Sequence, residues 1–152
     1  MTHWLILRTD PRKEHYVAAQ IRNAGFSAWV PVQIITARPH VARRVSAKSH
    51  IQTIRELPIL PRRLFIRAQE WEEEYWMRTR HYLGLERCSS GYAVEIPDEQ
   101  IHAFRVAIDN DNTAALALSQ RASRKQKAKW KSLHDALVEM IQGAKQTLEE
   151  AA

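Results

Sequence analysis

The side chains able to do chemistry in this chain are mainly cations, and they come in clusters. Eight basic residues (Arg38, Arg43, Arg44, Lys48, Arg55, Arg62, Arg63 and Arg67) lie between positions 38 and 67 against one acid, Glu56. Six more (Arg121, Arg124, Lys125, Lys127, Lys129 and Lys131) lie between positions 121 and 131 with no acid among them. Grouped guanidinium and ammonium charges bind polyanions, most often nucleic acid. They also keep a flexible loop soluble, and for Arg38–Arg55, which holds Arg43 and Arg44, both readings stand. The acids collect at positions 70–74 and toward the C-terminal end, leaving a net charge of +6.

Bond-making chemistry has no local signature. The four glycines, Gly25, Gly84, Gly91 and Gly143, are scattered, so no glycine-rich loop cradles a phosphate. Neither Cys-x-x-Cys nor His-x-x-His spacing occurs, so no metal is expected. No nucleophile elbow is present. The expectation is a binding protein without a cofactor, not an enzyme. Cys88 is alone, which excludes an internal disulfide and fits a reducing cytoplasm; it reads as an ordinary half-buried residue. No run approaches the roughly 18 apolar residues that a membrane span needs. The start of the chain, Trp4 to Leu7, is strand-like and not a signal peptide. The location expected is therefore cytoplasmic, with no membrane partner.

The chain's 152 residues, 45% of them hydrophobic, fit one domain with a real core and an extension. Its central stretch is Leu57-Pro58-Ile59-Leu60-Pro61-Arg62-Arg63-Leu64-Phe65-Ile66. Each proline fixes its own φ and pushes the residue before it into extended geometry. Neither can donate to a sheet ladder, so both are expected outside the paired part of the strand that Leu64, Phe65 and Ile66 begin. Upstream, His3–Arg8 reads as an inner strand covered on both faces. Asp10 as N-cap and Pro11 at the first helical position predict a helix carrying Val17, Ala18, Ile21 and Ala24 inward, closed by Gly25. Phe26–Ile35 reads as one strand, bulged or at an edge because of Pro31. Thr36–Glu56 shows no period and reads as a long loop.

Downstream, Gln69–Arg80 reads as a helix and Tyr82–Leu85 leads into a strand. A turn at Ser89-Ser90-Gly91 returns through Tyr92–Ile96. Pro97-Asp98-Glu99 opens a further helix with Ile101, Phe104 and Ile108 inward. The polar run Asp109–Asn112 reads as a break, dividing a domain over residues 1–108 from a basic linker and amphipathic helix over 109–152. Ser132 with Asp135 resembles a capping box for that last helix, whose apolar stripe is Leu133, Leu137, Ile141 and Leu148. Such a stripe needs a surface: this domain, a second copy of the chain, or another protein.

These elements, in this order, resemble the NusG N-terminal (NGN) domain family of transcription elongation and antitermination factors. Trp4-Leu5-Ile6-Leu7 resembles the family's opening strand. Phe26-Ser27-Ala28-Trp29-Val30-Pro31-Val32 is similar to its second. Pro58 to Ile66 resembles its phenylalanine-proline strand. Tyr82-Leu83-Gly84-Leu85 and Ile96-Pro97-Asp98-Glu99-Gln100-Ile101 resemble the segments around its later helices. Coverage is roughly residues 3 to 108. The resemblance implies an α+β fold with an antiparallel four-stranded sheet flanked by helices (β-α-β-β-α-β-α), extended here by a helical C-terminal segment. It implies binding to the clamp helices of the RNA polymerase β′ subunit and an effect on pausing or termination. The residues implicated are Leu60, Pro61, Arg62, Arg63, Phe65, Leu85, Ile101 and Phe104; plain core is the alternative for the apolar ones, above all Phe65 and Ile101.

Thr79-Arg80 matches a pair that RfaH-like members use against non-template DNA. With Arg12, Lys13 and Arg22 it implies a DNA-facing patch. Arg62-Arg63 departs from the family, which has a small residue and then tyrosine there. Cations at those positions favour acidic partners or phosphate. The second departure is at the C terminus, where residues 109–152 lack the pattern of the family's KOW barrel. In RfaH-like members a helical C-terminal region covers the polymerase site, so masking or self-association through residues 132–150 is a further expectation. A free-standing nucleic-acid-binding module acting without polymerase is the alternative to the polymerase factor.

Overall fold

The computed structural model describes residues 2–37, 53–68, 76–117 and 124–151. Its centre is strand β1 (His3–Thr9). Alternation along a strand sends Trp4 and Ile6 to one face and Leu5 and Leu7 to the other, and all four are buried. Both faces are therefore covered, as four consecutive apolar residues predict. Antiparallel to β1 run β5 (Arg63–Arg67) on one side and β6 (Tyr82–Leu85) on the other. β2 (Ala28–Trp29) adds outside β5. β7 (Glu95–Pro97) pairs with the start of β1. The sheet thus has five strands, not the four expected, because the segment returning after Gly91 reaches β1 itself.

Helix α1 (Glu14–Asn23) packs Val17, Ala18 and Ile21 against Leu5, Leu7, Leu64 and Ile66. It starts later than Asp10 and Pro11 predict. Arg12 takes a left-handed φ of 63°, which ends the turn before the helix begins, and Lys13 occupies the N-cap without a side-chain cap. The expected end does form: Gly25 has φ 89°, and its N–H donates to the Arg22 carbonyl.

The strand expected over Phe26–Ile35 is two strands in two sheets. β2 ends before Pro31, and β3 (Val32–Ala37) leaves to pair with β4 (Thr53–Pro58) in a separate antiparallel ribbon. Pro31 has no N–H to continue the ladder, while its carbonyl accepts from Ile59 at 2.7 Å. Thr53–Glu56, expected within a loop, is therefore strand; residues 38–52 lie outside the described residues. Pro58 sits inside the last pair of the ribbon, opposite Val32, and not beyond it. A proline fits there because the strand is an edge. Pro61 does lie outside any strand, in the turn before β5.

Of the helix expected over Gln69–Arg80, residues 69–75 lie outside the described residues. Trp76 is helical, and 77–81 are turns or bends, so the helix stops before Arg80. Helix α2 (Asp98–Ala117) runs straight through Asp109–Asn112, where the polar run predicts a break. Asn112 explains its polarity. Its side-chain oxygen accepts from the Ile34 N–H and its side-chain nitrogen donates to the Val32 carbonyl, each at 2.8 Å. The polar run is a dock for β3. Helix α3 (Arg124–Ala151) likewise begins a full two turns before Ser132, so Ser132 is not its cap. Among the described residues no helix is long and apolar enough to cross a membrane.

Two cores result. One lies between the sheet and α1. The other gathers Trp4, Ile6, Phe65 and Ile96 of the sheet with Ile101 and Ile108 of α2 and Leu137 and Ile141 of α3. The stripe of the last helix has thus found its surface within the same chain. Each fully buried leucine or isoleucine there contributes about 1.5–3 kcal/mol by removal from water.

Candidate functional site

The Leu60-Pro61-Arg62 turn and β5 carry most of the residues implicated in polymerase binding. Arg62 closes the turn in a left-handed conformation, φ 65°. Its backbone N–H donates to the Glu14 carboxylate at 2.6 Å, and its carbonyl accepts from the Thr9 N–H at 2.9 Å. Glu14, almost wholly buried, therefore fixes the turn as well as starting α1. Beyond the turn, alternation places Arg63 and Phe65 on one face and Leu64 and Ile66 on the other.

Leu60, Phe65 and Ile101 come together and are fully or almost fully buried. Phe104, half-buried, packs against the same core. The Phe65 ring lies 5.2 Å from that of Trp29. Leu85 is not part of this group; it faces α1 with Val17 and Trp76. Pro61 and Arg62 are exposed, and Arg63 is half-buried. Leu137 and Ile141 of α3, which packs against β7 and α2, belong to the same buried cluster. A cleft of about 780 Å³ remains between α2, β7 and α3, lined by Phe104, Met140, Ala144 and Leu148 among others.

Polar contacts tie α3 down at its C-terminal half. The Lys145 ammonium donates to Glu86 Oε1 at 2.5 Å, and Arg63 Nε donates weakly to Glu86 Oε2 at 3.4 Å. Burial pushes the Glu86 carboxyl up, but the Lys145 hydrogen bond and the Arg63 charge outweigh it and hold the group below its ordinary value. One turn further along, Glu149 Oε1 accepts from Ser89 Oγ at 2.7 Å and from the Ser89 N–H at 3.0 Å. Those two bonds lower the Glu149 carboxyl as well.

The residues implicated in DNA contact divide. Arg12, Lys13 and Arg80 are exposed at one end of the sheet. The Asp10 N–H donates to the His81 carbonyl, and the His81 ring meets the Asp10 carboxylate at 2.9 Å, so the loop after β1 and the turn before β6 are joined. Thr79 is half-buried in that turn. Arg22 is not with them. It lies in the last turn of α1, and its guanidinium donates to the Ala28 carbonyl at 2.9 and 3.1 Å. Arg43 and Arg44 lie outside the described residues.

Four contributors escaped sequence reading: Arg8, Glu86, Asn112 and Lys145. Only the alternation of Arg8 with Ile6 hinted at a shared face; the other three depend on tertiary partners. Glu99 and His102 stand one turn apart on α2. Among the described residues, however, no three His, Cys, Asp or Glu side chains gather as a metal would require.

The result is a mixed sheet-and-helix domain with a two-stranded ribbon and a cationic end. A match to the family described as transcription termination factor nusG covers residues 2–105, more than half of the chain. The chain belongs to the NusG family of transcription factors. The match ends within α2, so α3 lies beyond it. No curated protein matches the chain at a significant level.

Proposed function

We propose that this chain is a NusG-type factor that binds the β′ clamp helices of RNA polymerase in the cytoplasm and modulates pausing or termination. The observation that carries the reading is the family match over residues 2–105. Leu60, Pro61 and Phe65 stand in that span, where the resemblance assigns the polymerase contact; Ile101 and Phe104 stand beside them. Arg62 and Arg63 stand at the rim of that contact, and Leu85 supports the sheet from its other face. Arg12, Lys13, Thr79 and Arg80 contact non-template DNA. Backbone contacts of this kind add affinity without reading sequence.

The burial of Leu60 and Phe65 in one cluster with Leu137 and Ile141 of α3 favours a second element of the same reading. α3 masks the polymerase site and lifts away when the factor engages. A pull-down with the isolated β′ clamp helices tests the function. Capture of the chain supports it, and no capture by either the full chain or a variant with α3 released contradicts it.

A further inference from the structure

Arg8 and Arg63 stand directly opposite each other across β1 and β5. Directly paired residues share a face with Cβ atoms about 4.5–5.5 Å apart, and like charges there repel. Arg63 has part of its charge answered by Glu86. Arg8 is exposed, and among the described residues no hydrogen bond or ion pair holds its guanidinium. Between the two opens a cleft of about 170 Å³ lined by Arg8, Pro61, Arg62 and Arg63 alone. Its floor is set in place, because Glu14 and Thr9 hold both sides of the Arg62 peptide.

We propose that Arg8, Arg62 and Arg63 form a clamp for a backbone phosphate of nucleic acid. Three guanidinium groups around one cleft suit a phosphate, whose oxygens accept paired N–H donors. An anion seated there also removes the Arg8–Arg63 repulsion. The surroundings favour a phosphate chain over an acidic protein. The Arg62 contacts with Glu14 and Thr9 put the cleft beside the loop bearing Arg12 and Lys13, and the Asp10–His81 contacts add the turn bearing Arg78 and Arg80. All four of those cations are exposed. The acids in the same region are already engaged: Asp10 by His81, Glu14 by the Arg62 amide, Glu86 by Arg63 and Lys145. Cations gathered on these joined turns match a repeating phosphate backbone, and they give binding independent of base sequence.

The test uses the full chain and a labelled single-stranded DNA oligonucleotide of mixed sequence, without polymerase, so its outcome is separate from that of clamp-helix binding. Affinity is measured across a salt series for the natural chain, Arg8→Gln, Arg62→Gln and Arg8→Lys. Both arginines are exposed, and unchanged thermal melts confirm folding. Each glutamine variant is expected to bind roughly three- to tenfold more weakly and to lower the log–log salt slope by about one, equally on an unrelated sequence. Arg8→Lys is expected to keep the slope. Unchanged affinity and slope in both glutamine variants overturn the proposal. So does loss of clamp-helix binding with oligonucleotide binding intact, which assigns the cleft to an acidic protein surface.

Discussion

Lys145, near the end of the last helix, donates a 2.5 Å hydrogen bond to Glu86, which follows β6 and lies 59 residues earlier in the chain. With Arg63 on the other carboxylate oxygen, Glu86 joins the helix to the strand that carries Phe65. At its other end the same helix is joined to α2 by the Lys129–Asp111 ion pair.

Removing the Lys145 contact should loosen the helix with little effect on the sheet. Lys145 is 30% exposed, so solvent screens part of its charge. Lys145→Ala is expected to cost about 1 kcal/mol. Hydrogen exchange should speed up in α3 while β1 amides stay protected. Equal acceleration in both would show that the helix and sheet open together.

The Glu86 carboxyl is held below its ordinary value in the folded chain. A carboxylate depressed in this way stabilises the fold fully above its unfolded pKa and loses that contribution as pH falls through the folded pKa. The loss should therefore begin below about pH 4.5, the unperturbed value. In thermal melts, the advantage of the natural chain over Glu86→Gln should be constant near neutrality and shrink in that acidic range. An advantage independent of pH would contradict the assignment.

Leu137 is fully buried beside Phe65 and Ile101 in the second core. Leu137→Ala removes that packing and leaves a cavity, at a cost of about 2–5 kcal/mol. Urea denaturation measures it. A loss below 1 kcal/mol would mean that α3 contributes little to the fold.

Asn112→Ala leaves the Ile34 N–H and the Val32 carbonyl without their side-chain partner. Unmet buried groups cost about 1–3 kcal/mol each, less where the ribbon can reach water. Exchange at the Ile34 amide should accelerate while that at Ile6 does not. Unchanged exchange at Ile34 would show that α2 is not what holds the ribbon.

Where local pattern decides structure, the sequence was legible. Trp4–Leu7, the Val17–Ala18–Ile21 stripe, Gly25 and Leu64–Ile66 all do what their spacing implies. Long-range partners decide the rest. Pro31 announces an interruption, but not that the chain changes sheets there. Asp109–Asn112 looks like a linker because the backbone groups that Asn112 satisfies lie about 80 residues earlier. Leu60 and Phe65 are recognisable as an apolar pair, and Leu137 and Ile141 as a stripe needing cover; that they join one core is a tertiary fact. The Arg8–Arg63 pairing depends on strand register, which neither residue's neighbours reveal.

On the proposed function, the face carrying Leu60 and Phe65 binds polymerase and α3 masks it beforehand. The most direct measurement compares the affinity of isolated β′ clamp helices for the natural chain and for Lys145→Ala/Glu149→Ala, which removes the two polar ties at the C-terminal half of α3 and leaves the Lys129–Asp111 pair at its other end. Binding is expected to be several-fold tighter in the double variant. Equal affinity in the two proteins would contradict masking, and no binding by either would contradict the polymerase-binding role itself.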